Sequence, residues 1–189
     1  MSEPLQDTPA DLGPVDSHTV YEGAVWHIDE DRFRLGETEL VRQVLRHPGS
    51  VAILALDEQD RVGLVNQYRH PVARRLWELP AGLLDVPGES PRQAAARELR
   101  EEIDRTADSW EPLTSYYSSP GGSDELLQIF RATGLHSVAP FAREAEEADF
   151  RYAWVPFPEL LDRVRSGLLR SPSLVVGVLA EADRRAGRR

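Results

Sequence analysis

The sequence predicts an α/β protein of the α+β type, in which a mixed β-sheet lies between helices. Short alternating or apolar segments bounded by turn residues recur along the chain, which is typical of strands. Amphipathic segments, one near residues 90–103 and two between 157 and 185, are typical of helices. At 189 residues, the chain is long enough for one domain with a substantial core.

The N-terminal part divides into a tail and a strand region. Residues 1–17 contain three prolines and one glycine but few large apolar side chains, and this composition predicts a flexible tail. Residues 18–45 alternate polar and apolar side chains around a turn near Gly36, which predicts an antiparallel strand region. Residues 46–189 are then predicted to form the main domain.

The strands of the main domain are recognised by their length and by the turns between them. Residues 50–56 form an apolar run short enough for a buried strand, and residues 61–68 return after a polar hairpin loop. A short strand at residues 76–79 precedes a loop rich in proline and glycine. Further strands are predicted at residues 110–117, 126–132 and 152–155.

The first helix is predicted to begin after Ser90. Serine is a favoured N-cap, Pro91 takes the first helical position, and Gln93 stands where a capping box requires glutamine or glutamate. An apolar stripe on this helix is formed by Ala94, Ala95, Leu99 and Ile103. Two further helices are predicted at residues 157–165 and 173–185.

Composition argues against several functional classes. A net charge of −10 opposes broad attraction to nucleic acid or to an anionic membrane. Without cysteine, the chain has no disulfide, thiol nucleophile or thiolate metal site. No apolar stretch approaches about 20 residues, and the N-terminus lacks the basic and apolar segments of a signal peptide. The expected location is therefore cytoplasmic.

Three glutamates on the first helix suggest a metal site. Glu98, Glu101 and Glu102 stand at positions i, i+3 and i+4, so their carboxylates project from one helical face. Such like charges repel, and a hard cation such as Mg²⁺, which binds carboxylates and substrate phosphates, relieves the repulsion. The alternative is a solvated acidic helix face. The glycine loop before the helix favours a metal-assisted phosphate enzyme.

The stretch from Gly82 to Glu102 resembles the Nudix box of the Nudix hydrolase family. The spacing from Glu89 through Arg97 to Glu102 matches the family pattern, although six residues rather than five separate Gly82 from Glu89. Beyond Glu102, Asp104-Arg105 replaces the usual glycine and apolar residue. Asp tolerates a positive φ better than most residues, so a small stability cost is expected, at the helix exit rather than at the metal site.

The resemblance implies a Nudix fold and hydrolysis of a nucleoside diphosphate linked to another group, with Mg²⁺ or Mn²⁺ as cofactor. By family analogy, Glu98 and Glu102 are the main metal ligands, supported by Glu101 and the Ala81 carbonyl. Arg97 is expected to orient these carboxylates. For Glu89, direct metal binding, binding through water and holding of the loop all remain open.

Sequence around the box resembles the ADP-ribose pyrophosphatases, actinobacterial ones in particular. The resemblance covers roughly residues 20–180 and is carried by residues 67–72 and 76–85. Pro120 falls close to the proline that marks ADP-ribose specificity in that group. Arg69 is a plausible clamp for phosphate or ribose, with a surface arginine as the alternative. Trp77 is expected either to stack adenine or to lie in the core. Further substrate contacts are expected from Glu78, Gly122 and Ser123.

These enzymes also carry a catalytic glutamate on a late loop. The acidic segment 144–149 lies before the last predicted strand. Counting without gaps from the box, against the pattern of the actinobacterial enzymes, favours Glu147 over Glu146. Glu147 would be a metal ligand or general base, with an acidic surface loop as the alternative.

The function predicted from the sequence is metal-dependent hydrolysis of ADP-ribose to AMP and ribose 5-phosphate. By the same resemblance, the enzyme is a homodimer whose N-terminal strands contact the partner. One alternative is a Nudix hydrolase of another nucleoside diphosphate sugar or a dinucleotide. A second alternative is a non-catalytic Nudix-fold ligand sensor, which the intact glutamate set disfavours.

Overall fold

The computed structural model describes residues 5–140 and 151–187, and these form two compact units. The first unit contains the described residues up to His47 together with Ser119–Asp124. The second contains Pro48–Ser118 and the described residues from Glu125 onward.

An antiparallel sheet forms the first unit. Its strands are β1 (Asp16–Glu22), β2 (His27–Leu35) and β3 (Thr38–Arg46), hydrogen-bonded in that order. The turn between β2 and β3 contains Gly36, whose φ of +62° is a conformation that glycine adopts without a steric penalty. The predicted strands around a turn near Gly36 are therefore confirmed.

Residues 119–124 are attached to the end of β3. The Leu45 N–H donates a 2.9 Å hydrogen bond to the Gly122 carbonyl, and Leu45 forms a parallel bridge with Ser123. Asp124 accepts from the His47 N–H at 2.9 Å and pairs with Arg46 at 3.4 Å. This loop therefore adds a short extended segment to the N-terminal sheet.

The second unit contains a mixed four-stranded sheet and an antiparallel three-stranded sheet. The first has the order β7-β4-β9-β8 and is mixed because β4 pairs parallel to β9. The second has the order β10-β5-β6. The strand bounds are β4 Ser50–Ala55, β5 Arg61–Arg69, β6 Arg74–Glu78, β7 Ala81–Leu83, β8 Arg105–Tyr117, β9 Leu126–Ser137 and β10 Arg151–Pro156.

Helices cover both faces of this unit. The helix bounds are α1 Pro91–Ile103, α2 Phe157–Arg165 and α3 Pro172–Arg185, with a short 3₁₀ helix at His70–Val72. Val51 and Ile53 of β4 pack with α1, whereas Ala52 and Leu54 pack with α2 and α3. Successive strand residues face opposite sides, so the predicted arrangement of sheet between helices is confirmed. No helix in the described ranges is long and apolar enough to span a membrane.

The start of α1 follows the prediction, and the structure shows how the helix ends. Ser90 is the N-cap, and its capping box with Gln93 is complete. At the other end, Asp104 has a φ of +54°, and its N–H donates to the Leu99 carbonyl. Arg105 starts β8 immediately, with its guanidinium 5.5 Å from the Trp154 ring centroid. The unusual Asp104-Arg105 pair thus ends the helix in the conformation usually supplied by glycine.

A buried ion network joins α3 to the rest of the unit. The Glu181 side chain is fully buried and accepts hydrogen bonds from Arg184 at 2.7 Å and from Arg185 at 2.8 Å. Arg131 of β9 contributes a longer contact of 3.4 Å. Arg185 also binds Asp60 in the turn before β5. Burial alone would raise the pKa of Glu181, but the hydrogen bonds from Arg184 and Arg185 lower it below its ordinary value.

Candidate active site

The acidic face of α1 is largely withdrawn from solvent. Glu98 and Glu102 are only 8% and 5% exposed, and Glu101 is half-buried. Burying carboxylates is costly unless they are paired or bind a metal. The solvated acidic face considered from the sequence is therefore excluded for Glu98 and Glu102.

Arg97 contacts three carboxylates around this face. It forms a fork with Glu89, at 3.1 Å from Nε and 3.0 Å from Nη2, while Nη1 lies 2.5 Å from Glu98 Oε1 and 3.2 Å from Glu101 Oε2. The hydrogen bonds to Glu89 and the charge of Glu98 raise the pKa of Arg97. These contacts are those expected of a guanidinium that orients the carboxylates. Through this pair Glu89 links the loop to α1, while metal binding by Glu89, directly or through water, stays a prediction.

Gly82 lies directly against Glu98. A Cβ placed on Gly82 would overlap the Glu98 carboxylate and would stand only 2.6 Å from the Glu98 Cγ. Only glycine allows strand β7 to approach α1 this closely. The glycine at the start of the box is thus required by the position of the Glu98 carboxylate.

Ala81 contacts the second buried glutamate. Its backbone N–H donates a 2.9 Å hydrogen bond to Glu102 Oε2. The preceding carbonyl, of Pro80, accepts from the Ile53 N–H at 2.8 Å, which ties the segment to β4. Ala81 and Gly82 therefore fix the two glutamates from the same strand.

Arg69 and Glu78 form a second ion pair on this side of the sheet. Arg69 donates from Nε to Glu78 Oε1 at 3.1 Å and from Nη2 to Glu78 Oε2 at 2.8 Å. Gln67 also donates to Glu78 Oε2, at 3.3 Å. Gln67 was not singled out from the sequence, although its i, i+2 spacing from Arg69 on a strand places both on one face.

The neighbouring Trp77 faces the other way. Glu78 pairs with Val65, which packs with α1, whereas Trp77 packs against the core cluster of α2 and α3. This placement favours the core role that the sequence left open for Trp77.

The remaining predicted site residues are Gly122, Ser123 and Glu147. Gly122 and Ser123 belong to the first unit, in the loop attached to β3. Glu147 and its alternative Glu146 fall outside the described residues.

The described residues offer a pair of carboxylates as a metal-binding set. Within residues 5–140 and 151–187, no group of three His, Cys, Asp or Glu side chains could hold a metal ion. Glu98 and Glu102 nevertheless lie one turn apart and are buried beside Ala81 and Gly82. Two carboxylates plus substrate phosphates are a common ligand set for Mg²⁺.

The fold and this site together define an α+β enzyme scaffold with an acidic helix suited to a divalent cation. The family can be stated more closely, because residues 46–171 match the family model of the NUDIX domain. The chain therefore belongs to the NUDIX family of hydrolases.

Relatives and a solved structure agree with this assignment. The chain is 43% identical over 171 residues to an ADP-ribose pyrophosphatase of Mycobacterium tuberculosis, covering 90% of this chain and 83% of the relative. It is 41% identical over 109 residues to an ADP-ribose pyrophosphatase of Bacillus subtilis, covering 58% of each. A crystal structure of an ADP compounds hydrolase shares the fold, with a TM-score of 0.78, 19% identity and coverage of 97% of this chain and 100% of that one.

Proposed function

We propose that the protein is a cytoplasmic, homodimeric hydrolase that converts ADP-ribose and water to AMP and ribose 5-phosphate. The substrate follows from the M. tuberculosis relative, whose similarity extends over 90% of the chain. The observation that carries the catalytic role is the burial of Glu98 and Glu102 against Gly82 and Ala81. A ligand sensor would have no need to retain two buried carboxylates.

Mg²⁺ or Mn²⁺ is the proposed cofactor. Glu98, Glu102 and the Ala81 carbonyl would hold it, with Glu101 in support, and the donor set of carboxylate and carbonyl oxygens fits these hard cations. When bound, such a cation neutralises phosphate charge and lowers the pKa of water. Arg97 holds Glu98 and Glu101 in place, because its guanidinium contacts both carboxylates.

The reaction adds water across the bridging P–O–P linkage. The water oxygen forms a bond to one phosphorus, the bond from that phosphorus to the bridging oxygen breaks, and the bridging oxygen leaves on the other phosphate. We assign removal of the water proton to Glu147, with Glu146 as the alternative. Arg69, Gly122 and Ser123 are the proposed substrate contacts.

Exposed apolar side chains on the N-terminal unit support the proposed homodimer. Val20, Tyr21, Val25 and Trp26 are 38–55% exposed and lie in or between β1 and β2. Large apolar side chains exposed in this way would suit a surface that binds a partner. Light scattering should give twice the chain mass, and Val25→Asp should lower it, whereas Leu168→Asp on the second unit should not.

A substrate panel tests the proposed function. The protein is incubated with Mg²⁺ and ADP-ribose, other nucleoside diphosphate sugars or dinucleotides in ¹⁸O-water, and the products are identified by mass spectrometry. We expect ADP-ribose to have the highest kcat/KM, and the label to mark the phosphorus that water attacks. Preference for another sugar nucleotide would refute the substrate assignment, and no turnover of any compound would favour a sensor.

A further inference from the structure

The ion pair between Arg69 and Glu78 joins an exposed arginine to a buried glutamate. The Glu78 side chain is only 7% exposed, whereas that of Arg69 is 45% exposed. The pair therefore runs from the protein interior to the surface. Arg69 is therefore the member of the pair that is open to a ligand.

Both oxygens of Glu78 are engaged within the protein. Oε1 accepts from Arg69 Nε, and Oε2 accepts from Arg69 Nη2 and from Gln67 Nε2. A fork of this kind fixes the plane of the guanidinium as well as its position. Since arginine loses considerable side-chain freedom when it is held, a support that orders it in advance lowers the cost of binding an anion.

This pair also lies on the face of its sheet that packs against α1. Glu78 is opposite Val65 across the β5–β6 ladder, and Val65 packs with α1, which carries the glutamates. Only Leu79 and Pro80 separate Glu78 from Ala81, whose N–H binds Glu102. Glu78, which orients Arg69, therefore belongs to the same stretch of backbone as Ala81, which contacts Glu102.

We propose that Glu78 is a positioning residue, which fixes the Arg69 guanidinium to receive a phosphate of the substrate and does not touch the substrate itself. The inference rests on the proposed hydrolysis of a nucleoside diphosphate sugar. It replaces the expectation from the sequence that Glu78 contacts the substrate.

A double-mutant cycle in the 189-residue chain distinguishes positioning of Arg69 by Glu78 from direct contact between Glu78 and the substrate. Glu78→Asp keeps the charge but shortens the side chain by one methylene, so it disturbs the geometry of the fork with little change in electrostatics. It should raise KM for ADP-ribose about tenfold, as expected from loss of one charge-assisted hydrogen bond, and leave kcat within about twofold. In an Arg69→Gln background, the same change should alter KM by less than about twofold, because residues that act through each other are not additive.

Two controls test whether a change in KM is specific to the Arg69–Glu78 pair. Glu159→Gln removes an exposed pair with Arg163 and should leave KM unchanged. Thermal unfolding of every variant reports any general loss of structure. An equal rise in KM with and without Arg69 would show that Glu78 contacts the substrate directly, and an unchanged KM in both backgrounds would also overturn the proposal.

The same cycle is repeated as a calorimetric dissociation constant for ADP-ribose in a Glu98→Gln background, where turnover is slow. If the wild type binds ADP-ribose without hydrolysing it, the proposed function fails while the coupling is still measured. Absence of both turnover and binding would overturn both proposals. Loss of the coupling in an enzyme that hydrolyses ADP-ribose would overturn the positioning role alone.

Discussion

Gly82 and Glu98 approach each other so closely that a Cβ on the glycine would overlap the Glu98 carboxylate. The contact joins β7 to α1 at the carboxylate proposed to bind metal. It explains why the loop before the helix contains glycine at this position, although Gly82 does not have a positive φ.

Gly82→Ala should displace Glu98 and reduce activity. Overpacking of this kind costs about 1–3 kcal/mol of folding free energy, and the displaced carboxylate should lower kcat about a hundredfold. Urea unfolding and steady-state kinetics measure the two effects. Gly121→Ala is the matched control, because a Cβ added there would have no atom within 4 Å; equal effects at both positions would show that the contact is unimportant.

Glu98→Gln and Glu102→Gln should each lower kcat by about a hundredfold or more while the fold survives, since metal ions commonly supply several kcal/mol of transition-state stabilisation. Paramagnetic resonance of Mn²⁺ should show weaker binding, which separates metal loss from other causes. Glu58→Gln, an exposed change in the turn before β5, should have no effect. Normal turnover with normal Mn²⁺ affinity would remove these glutamates from the site.

Glu147→Gln should lower kcat by about a hundredfold or more with little change in KM, because general base catalysis contributes about 10²–10⁴-fold. Glu146→Gln should retain activity within about threefold. Parallel kinetics of the two variants decide between adjacent residues. A loss confined to Glu146→Gln would move the base by one position.

Glu181→Gln should destabilise the protein by about 1–3 kcal/mol at pH 7, because it leaves Arg184 and Arg185 without their buried carboxylate. The pKa of Glu181 in the folded protein lies below its ordinary value of 4.5. Its contribution is therefore complete above the ordinary pKa, which it retains in the unfolded chain, and is lost as the pH falls through the folded-state pKa.

Urea unfolding of the wild type and Glu181→Gln between neutral and acid pH checks this prediction. The difference in unfolding free energy should shrink toward acid pH. Glu159→Gln, which breaks an exposed pair, should stay within about 0.5 kcal/mol of the wild type throughout. A difference independent of pH would show that the charge of Glu181 is not what stabilises α3.

The sequence predicted correctly those helices and strands that depend on neighbouring residues in the chain. Helix α2 begins at Phe157 and ends at Arg165 as expected, and the capping box at Ser90 is complete. The buried strand β4 was recognised from its apolar run alone. Each of these depends on residues within a few positions along the chain.

Features that depend on strand pairing were harder to predict. Strand β8 begins at Arg105 rather than at residue 110, because its polar first residues are held by pairing with the end of β9, up to Ser137. Glu78 was expected at the substrate, and Trp77 either there or in the core, but adjacent strand residues face opposite sides. Only the pairing of Glu78 with Val65 reveals which of them shares a face with α1.

The segment from Glu78 to Gly82 serves both halves of the candidate site, through Arg69 at one end and through Glu102 and Glu98 at the other. Substitutions within this segment should therefore show strong epistasis with each other and with the side chains they contact. Directed evolution toward a new sugar nucleotide should accordingly accept few changes here. Adaptive mutations should accumulate instead at positions whose backbone holds neither Arg69 nor the glutamates.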